Sequence, residues 1–346
     1  MKKYIIVILG LISICGFGQT KLEINGFSEK YKGVLTIEKG FENEVFKKGN
    51  ITIIELKMDK KVVDIDSEEF TFELDNKGRV KTDVLELPYG EQGIIISEDF
   101  NFDGIDDLAV MDGQHSCYHG PSFQVYLDVD NKLEFSPEFS RLAHEYCGMF
   151  KTDFESKTIQ TMTKSGCCWH QLSKFKVVNN IPIPILVIEE DATNFPFYTT
   201  SITEWNENEK TEKVEKKINL NQEDITEVFS FELVKNKKRV VIFNINDRTL
   251  NYVLIRSNET VEFSYPIKTV FKNPDFEFDE NEEYLTFRNQ DAVYKIYETH
   301  NRDGMTKMGI LVQVDGKLYD LKGSPDTVNG SLTDIKKIKL DNVVLR

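Results

Sequence analysis

Three oxygen-bearing side chains occupy alternate positions just before a glycine in this sequence. Asp99, Asn101 and Asp103 stand at positions 1, 3 and 5 of one short stretch, and Gly104 follows them. Glycine adopts the sharp reversal of such a loop more readily than any residue with a Cβ. A hard cation such as Ca²⁺ takes about six to eight oxygen ligands, which alternate carboxylate and amide groups on a tight loop supply. The spacing therefore predicts a calcium-binding loop.

The residues after the glycine complete the predicted ligand set. The main-chain carbonyl of Ile105 falls at position 7 and Asp107 at position 9, whereas Asp106 is expected to point away. An EF-hand needs a bidentate glutamate at position 12, but Val110 stands there. With its strand-like flanks, the loop instead resembles the strand-loop-strand calcium loops of secreted β-repeat proteins such as integrin-type FG-GAP blades. The alternative is a plain acidic hairpin turn, since Asp-Gly pairs are common in hairpins.

The amino terminus has the three parts of a secretory signal peptide. Two lysines follow the first methionine, an apolar run covers 4–14, and Gly16 and Gly18 form a small-x-small cleavage site. The run is too short for a membrane span, which needs about 20 apolar residues. We therefore expect cleavage after Gly18 and a secreted or periplasmic protein without a membrane span. Ile14 argues against lipid attachment at Cys15, because a small residue should precede a lipidated cysteine.

The composition is that of an acidic globular protein. The 346 residues carry a formal charge of −15 and include 24 Phe and 13 Tyr, which is ample material for one or two domain cores. Nucleic acids and anionic membrane surfaces attract basic patches, so neither is an expected partner. A basic protein or a divalent cation suits this charge better. The sequence leaves the oligomeric state open.

Four cysteines remain once a leader containing Cys15 is removed: Cys117, Cys147, Cys167 and Cys168. An even number in an oxidising compartment predicts two disulfides. Neighbouring residues of a strand point to opposite faces and a vicinal disulfide is strained, so we expect Cys117 and Cys147 each to pair with one of Cys167 and Cys168. The alternative is a zinc site that also uses nearby histidines, namely His115, His119 and His170.

Apolar and polar residues alternate along most of the chain, as in 54–58 and 70–74. This period of two predicts half-buried strands, and 137–146 is the segment that suggests a short helix. We therefore predict an all-β fold of antiparallel strands. The expected order is a signal peptide (1–18), an N-terminal β region (19–92), a calcium-loop β region with disulfides (93–220) and a C-terminal β domain (221–346).

Three polar segments predict connections rather than core strands. The charged stretch 204–217 has few apolar residues and indicates either an exposed hairpin or a linker. The segments 301–304 and 315–316 contain Asp-Gly pairs without alternate carboxylates. They therefore indicate hairpin turns, not ion-binding loops.

The middle third of the chain resembles a family of secreted bacterial proteins that includes immunity proteins against secreted peptidoglycan hydrolases. The resemblance covers roughly 31–190 and rests on the loop 99–108, the strand-like segment 123–127 and the segment 165–170. It implies an N-terminal β domain, a propeller-like β domain holding one calcium ion, and a protein partner that is a lysozyme-like glycosidase. Nothing in 221–346 carries the same resemblance.

Lysozyme inhibitors of related β types carry a Ser-Gly-x-x-Tyr motif whose serine and tyrosine enter the enzyme cleft near its acid carboxylate. Here Ser165 and Gly166 begin such a segment, and Trp169 stands where the tyrosine would be. The resemblance implies a partner-binding surface containing Ser165, Trp169 and His170. The alternative is a disulfide-anchored turn with Trp169 in the core. The loop after the calcium turn offers further candidates for exposed contacts, namely His115, Tyr118, His119 and Phe123. The alternative for each of them is a packed side chain.

An enzymatic role would need a nucleophile or a pair of acids. The candidates are Cys117 with His115 or His119, and the carboxylates Asp106 and Asp112. The cysteine has a simpler role in a disulfide, and the acids lie where a bound cation would lower their pKa. We therefore expect a non-enzymatic protein. It is either an inhibitor or immunity protein of a peptidoglycan hydrolase, or a calcium-stabilised β module that binds glycan or protein without inhibition.

Overall fold

The structure is a computed structural model that describes residues 19–86, 90–206, 209–266, 274–300 and 306–346. Within these ranges nearly all regular structure is antiparallel strand, which confirms the predicted all-β class. The predicted signal peptide (1–18) and the predicted turn at 301–304 lie outside the described residues. Over the same ranges, no helix has the length and apolar character that crossing a membrane requires.

The chain divides into two compact units. The first unit comprises Met1–Val187 and Glu204–Lys210, and the second comprises Ile188–Thr203 and Thr211–Arg346. The predicted domain boundaries after residues 92 and 220 stay a prediction.

The first four strands form one antiparallel sheet in chain order. They are β1 (Thr20–Ile24), β2 (Tyr31–Ile37), β3 (Lys47–Glu55) and β4 (Lys60–Phe70). Every second residue of β2 is buried, from Tyr31 through Leu35 to Ile37, because a strand turns alternate side chains to the same face. That face contributes to the core of the first unit.

A second four-stranded sheet carries the predicted calcium loop. Its strands, in order, are β5 (Ile95–Glu98), β6 (Asp107–Ser116), β7 (Gly120–Val129) and β8 (Lys132–Phe135). The helix α1 (Pro137–Glu145) follows and packs on β7. Ser136 caps it by accepting the N–H of Phe139 at 3.4 Å, which satisfies one orphan donor of the first turn. The helix predicted over 137–146 is therefore confirmed and ends one residue earlier.

The next six strands pair in sequential order as one antiparallel ribbon of hairpins. They are β9 (Lys151–Asp153), β10 (Thr158–Ser165), β11 (Trp169–Val178), β12 (Ile181–Asp191), β13 (Phe197–Asn206) and β14 (Glu209–Ile218). The charged stretch 204–217 falls in β13 and β14, so its hairpin alternative is correct and its linker alternative is wrong.

Two further sheets make up most of the second unit. The first has the order β18-β17-β16-β15-β24, with β15 (Ile225–Glu232), β16 (Arg239–Ile245), β17 (Thr249–Ile255), β18 (Val261–Tyr265) and β24 (Asn329–Gly330). The other has the order β23-β22-β21-β20-β19-β25, with β19 (Phe276–Asp279), β20 (Tyr284–Asn289), β21 (Ala292–His300), β22 (Thr306–Val314), β23 (Lys317–Lys322) and β25 (Val343–Leu345). Asp315 and Gly316 join β22 to β23 with φ of 49° and 70°, which confirms the hairpin turn predicted there.

One hydrophobic cluster joins both four-stranded sheets and the helix of the first unit. It includes Leu35 and Ile51 from the first sheet, Phe123 from the second and Phe139 from α1, all fully buried. Burying one such large side chain is worth about 1.5–3 kcal/mol, and the two strands that flank the predicted calcium loop contribute buried residues to this core. Phe123 is therefore a core residue, so of its two alternatives the packed one is correct and the exposed contact is wrong.

Candidate calcium loop and partner surface

The predicted calcium loop connects β5 to β6 and is curled by its own carboxylates. Asp99 accepts the main-chain N–H groups of Asp103 at 3.0 Å and Gly104 at 2.8 Å. Asp103 accepts the N–H of Ile105 at 2.9 Å. Gly104 has φ +91°, a left-handed conformation that favours glycine. The sharp reversal expected at Gly104 is present.

Asp107 fixes the carboxyl end of this loop from inside the core. Its side chain is 0% exposed and accepts the N–H groups of Phe100 and Asp128, each at 2.9 Å. Burial raises the pKa of Asp107 to about 7, and the charges of Asp103 and Asp99 add to the increase. The carboxylate therefore ties the loop to β7, where Asp128 lies.

An amide from a distant hairpin also reaches the loop. Asn101 is buried, and its Nδ2 donates to Asp103 Oδ2 at 3.0 Å and to Asn180 Oδ1 at 3.1 Å. Asn180 lies in the turn between β11 and β12, 79 residues further along the chain. Sequence analysis missed Asn180, since no local pattern links it to the loop.

The chemistry of the donors fits a hard cation. Asp99, Asn101, Asp103 and Asp107 offer side-chain oxygens and Ile105 offers a carbonyl, the ligand types that Ca²⁺ takes. A carboxylate oxygen that accepts one N–H keeps a second lone pair for a metal. In the described part of the chain, no three His, Cys, Asp or Glu side chains are grouped closely enough to hold a metal ion. Calcium binding therefore stays a prediction, as does the zinc alternative.

All four cysteines of the described chain form disulfides, but the expected pairing is wrong. Cys117 bonds Cys147 with 4.8 Å between their Cα atoms, and Cys167 bonds Cys168. The expectation placed the last two on a strand, where neighbours point apart. They lie instead in the loop between Ser165 and Trp169, which face each other as the last pair of β10 and β11, and in a loop adjacent side chains are free to meet.

Tyr118 and the β10–β11 loop form a single exposed surface. Tyr118 is 61% exposed in the turn between β6 and β7, with φ 54°. Its hydroxyl accepts the N–H of Gly166, and the Lys164 ammonium lies 5.1 Å from the centre of its ring. Ser165 beside them is exposed. We call Tyr118, Lys164, Ser165, Gly166 and the Cys167–Cys168 disulfide the tip surface.

The other predicted contacts lie at different depths and places. Trp169 and His170 are half-buried at the start of β11, so Trp169 is neither a core residue nor fully exposed. His115 and His119 line a separate cleft of about 840 Å³ beside the first sheet. There His119 Nε2 lies 3.4 Å from Glu69. The structure therefore brings Tyr118 and Ser165 together and leaves the two histidines on another surface.

A network of two buried polar residues and a half-buried histidine beside that cleft escaped sequence analysis. Ser122 Oγ donates to Asp112 Oδ1 at 2.6 Å, and the other Asp112 oxygen lies 2.9 Å from His144 Nε2. The hydrogen bond to Asp112 raises the pKa of His144. Burial alone would raise the pKa of Asp112, but the hydrogen bonds from His144 and Ser122 leave it lowered. The carboxylate lies between serine and histidine, so this is not the Ser-His-Asp order of a hydrolase.

These two shifts predict a pH-dependent contribution to stability. Because its pKa is raised, His144 adds to the free energy of unfolding. This contribution is complete below about pH 6.5, the pKa of histidine in the unfolded chain, and is lost as pH rises through the folded pKa. Because its pKa is lowered, Asp112 adds to the free energy of unfolding above about pH 4, the pKa of aspartate in the unfolded chain. This contribution is lost as pH falls through the folded pKa. We expect His144→Ala to destabilise by about 1–3 kcal/mol near pH 5 and by less near pH 9. Denaturant unfolding at both pH values measures the difference, and an equal loss at both would contradict it.

Comparison with known proteins gives distant likenesses to solved structures. No protein-family profile matches the chain, and no curated protein matches it significantly. A Xanthomonas type IV secretion system related protein is similar at a TM-score of 0.43 and 19% identity, covering 57% of this chain and 97% of that one.

Two further solved structures are similar at a lower level. TolB from Acinetobacter baumannii has a TM-score of 0.21 and 8% identity, covering 87% of this chain and 65% of that one. Prolyl oligopeptidase B from Galerina marginata has a TM-score of 0.20 and 9% identity, covering 86% and 47%. Likenesses at these scores carry no argument about function.

Proposed function

We propose that this protein is a secreted or periplasmic inhibitor of a lysozyme-like peptidoglycan hydrolase, itself without enzymatic activity and stabilised by one calcium ion. One observation carries the proposal. The aromatic ring of Tyr118 and the hydroxyl of Ser165, which lie 47 positions apart in the sequence, are exposed together on the tip surface. An exposed aromatic on a covalently fastened turn is a suitable anchor for a protein partner.

The tip surface offers the groups that a glycosidase cleft accepts. Such a cleft holds two carboxyl groups, one of which is protonated before it acts as the general acid. The hydroxyl of Ser165 can accept a hydrogen bond from that protonated acid, and an aromatic ring can occupy the space of a sugar. Tyr118 supplies such a ring. Trp169, which directly follows Cys168 of the tip surface, is a second aromatic nearby in the chain.

The turn that presents Tyr118 is held at several points, which limits the entropy lost on binding. The Cys117–Cys147 disulfide fastens the residue before Tyr118 to the segment after α1. The main chain of Cys147 in turn donates to Met162 of β10 at 2.8 Å. The formal charge of −15 would also steer the protein towards a basic enzyme.

The absence of enzymatic activity is part of the proposal and has two supports. In the part of the chain that the structure describes, each cysteine is in a disulfide, so none of these is a free thiol nucleophile. One acid-base group, Asp112 with Ser122 and His144, places the carboxylate where a triad needs the imidazole.

Substitutions on the tip surface test the proposal. We expect Tyr118→Ala to weaken inhibition of the hydrolase about 30-fold, because losing a central aromatic anchor costs about 2 kcal/mol or more. Ser165→Ala should weaken it less, since it removes a single hydrogen bond. Leu172→Ala is a matched control, because Leu172 is 51% exposed on the same hairpin but lies outside the tip surface.

The measurement is the inhibition constant of each variant, with circular dichroism confirming its fold. Equal inhibition by Tyr118→Ala and Leu172→Ala would exclude the tip surface as the contact. Binding of the wild-type protein to the hydrolase or to glycan with no loss of hydrolase activity would favour the binding-module alternative instead.

A further inference from the structure

The loop at the end of the β10–β11 hairpin consists almost entirely of a disulfide. Only Gly166, Cys167 and Cys168 lie between the paired residues Ser165 and Trp169. The bond between adjacent cysteines closes an eight-membered ring that includes the peptide bond joining them. Two of the three loop residues are therefore held by one covalent bond, and the third, Gly166, has φ +62°.

The two disulfides of the protein differ in their access to solvent. Cys167 is exposed at the end of the hairpin and Cys168 is half-buried beside it. Cys147 is only 5% exposed, and its Sγ lies 3.7 Å from Thr163 Oγ1 against β10. Thiol-disulfide exchange needs a thiolate to reach one sulfur. A reductant therefore meets an exposed residue at Cys167, whereas the Cys117–Cys147 bond offers one half-buried and one buried cysteine.

We propose that Cys167–Cys168 is a redox modification site for dithiol reductants, and that its reduction alters the tip surface. One thiolate of the dithiol attacks Cys167 Sγ, the bond between the two sulfurs breaks, and Cys168 leaves as a thiolate that takes a proton. The second thiol of the reductant then attacks the mixed disulfide and releases Cys167 as a thiol. The protein gains two electrons and two protons, and the dithiol becomes a disulfide.

Reduction changes the tip surface through the main chain. Opening the ring restores free rotation at Cys167 and Cys168, immediately after the Gly166 N–H that donates to Tyr118. The loop then loses the constraint that holds this N–H towards the Tyr118 hydroxyl. The last step rests on the proposed function. Because the intact disulfide constrains the loop of the tip surface, the oxidised protein inhibits the hydrolase more strongly than the reduced protein.

Timed alkylation tests the modification site independently of any inhibition. The full mature protein is treated with dithiothreitol under native conditions, quenched with iodoacetamide at intervals, and its peptides are analysed by mass spectrometry. We expect Cys167 and Cys168 to be labelled at least tenfold faster than Cys117 and Cys147. Labelling of all four at one rate, or of Cys117 and Cys147 first, would overturn the proposal.

Tryptophan emission tests the change in the loop. Trp169 follows the disulfide directly, and disulfides quench nearby indoles, so in a Trp205→Phe background the emission should rise with the same time course as the labelling. A Cys167→Ser/Cys168→Ser variant should show no dithiol-dependent rise. A rise of equal size in that variant would overturn the assignment.

The two proposals fail in distinguishable ways. If Cys167 and Cys168 are labelled selectively but the oxidised protein inhibits no hydrolase, the redox site stands and the proposed function fails. If the oxidised protein inhibits but the four cysteines react together, the proposed function stands and the redox site fails. For a protein with both properties, reduction and alkylation of Cys167 and Cys168 should weaken inhibition at least tenfold.

Discussion

Replacing Cys117 and Cys147 together by alanine is expected to lower the free energy of unfolding of the first unit by about 3–4 kcal/mol. The two cysteines are 30 positions apart, and in the chain-entropy view a cross-link of that length removes much of the freedom of the unfolded chain. The buried position of Cys147 adds lost packing. The same double substitution at Cys167 and Cys168 should cost only about 1 kcal/mol, because a bond between neighbours closes almost no loop.

Denaturant unfolding followed by tryptophan emission measures this contrast. Both tryptophans of the chain, Trp169 and Trp205, belong to the first unit, so their emission reports on that unit. The vicinal double variant is the matched control, since it removes the same atoms. Equal losses for the two variants would contradict the assignment of Cys117–Cys147 as the main covalent brace.

Calcium is expected to raise the free energy of unfolding of the same unit. A ligand that binds only the native state stabilises it by about 2.7 kcal/mol at 100 times its Kd. Asp99→Asn and Asp103→Asn each remove a predicted ligand charge, so these variants should lose most of the calcium-dependent increase. Asp106→Asn removes an equal charge from an exposed position in the same loop and should retain it.

Thermal unfolding with millimolar calcium and again with a chelator measures the effect. An identical melting temperature in both solutions would mean that 99–107 is only an acidic turn. An equal loss of the calcium response in Asp106→Asn and Asp103→Asn would mean that calcium acts through general charge screening and not through the predicted ligands.

The sequence predicted the features that depend on neighbouring residues. Alternation identified the strands, because burial on one face of a strand follows a period of two. The short helix was predicted over 137–146, and in the structure Ser136 caps it. Asp315-Gly316 was predicted to be a hairpin turn, as it is. The reversal at Gly104 followed from the spacing of the residues before it. Each of these is set within a few residues of chain.

Features that join distant segments were not predictable in the same way. The disulfide pairing depends on the Cys117 turn lying against the segment after α1, and no local pattern encodes that meeting. Asp112 and His144 are 32 positions apart, and Asn101 and Asn180 are 79 apart. Phe123 alternates with polar neighbours, yet which face of β7 enters the core is decided by the sheets around it. The tip surface therefore became visible only when the chain was folded.

Titration of a lysozyme-like hydrolase with the oxidised, calcium-loaded protein is the most direct test of the central claim. The rate of peptidoglycan clearing is measured while the protein is added from zero to tenfold molar excess. The proposed function predicts that activity falls to near zero, with an endpoint close to one protein per enzyme and weaker inhibition by Tyr118→Ala. Full hydrolase activity at tenfold excess, across the secreted lysozyme-like enzymes of one bacterium, would contradict it.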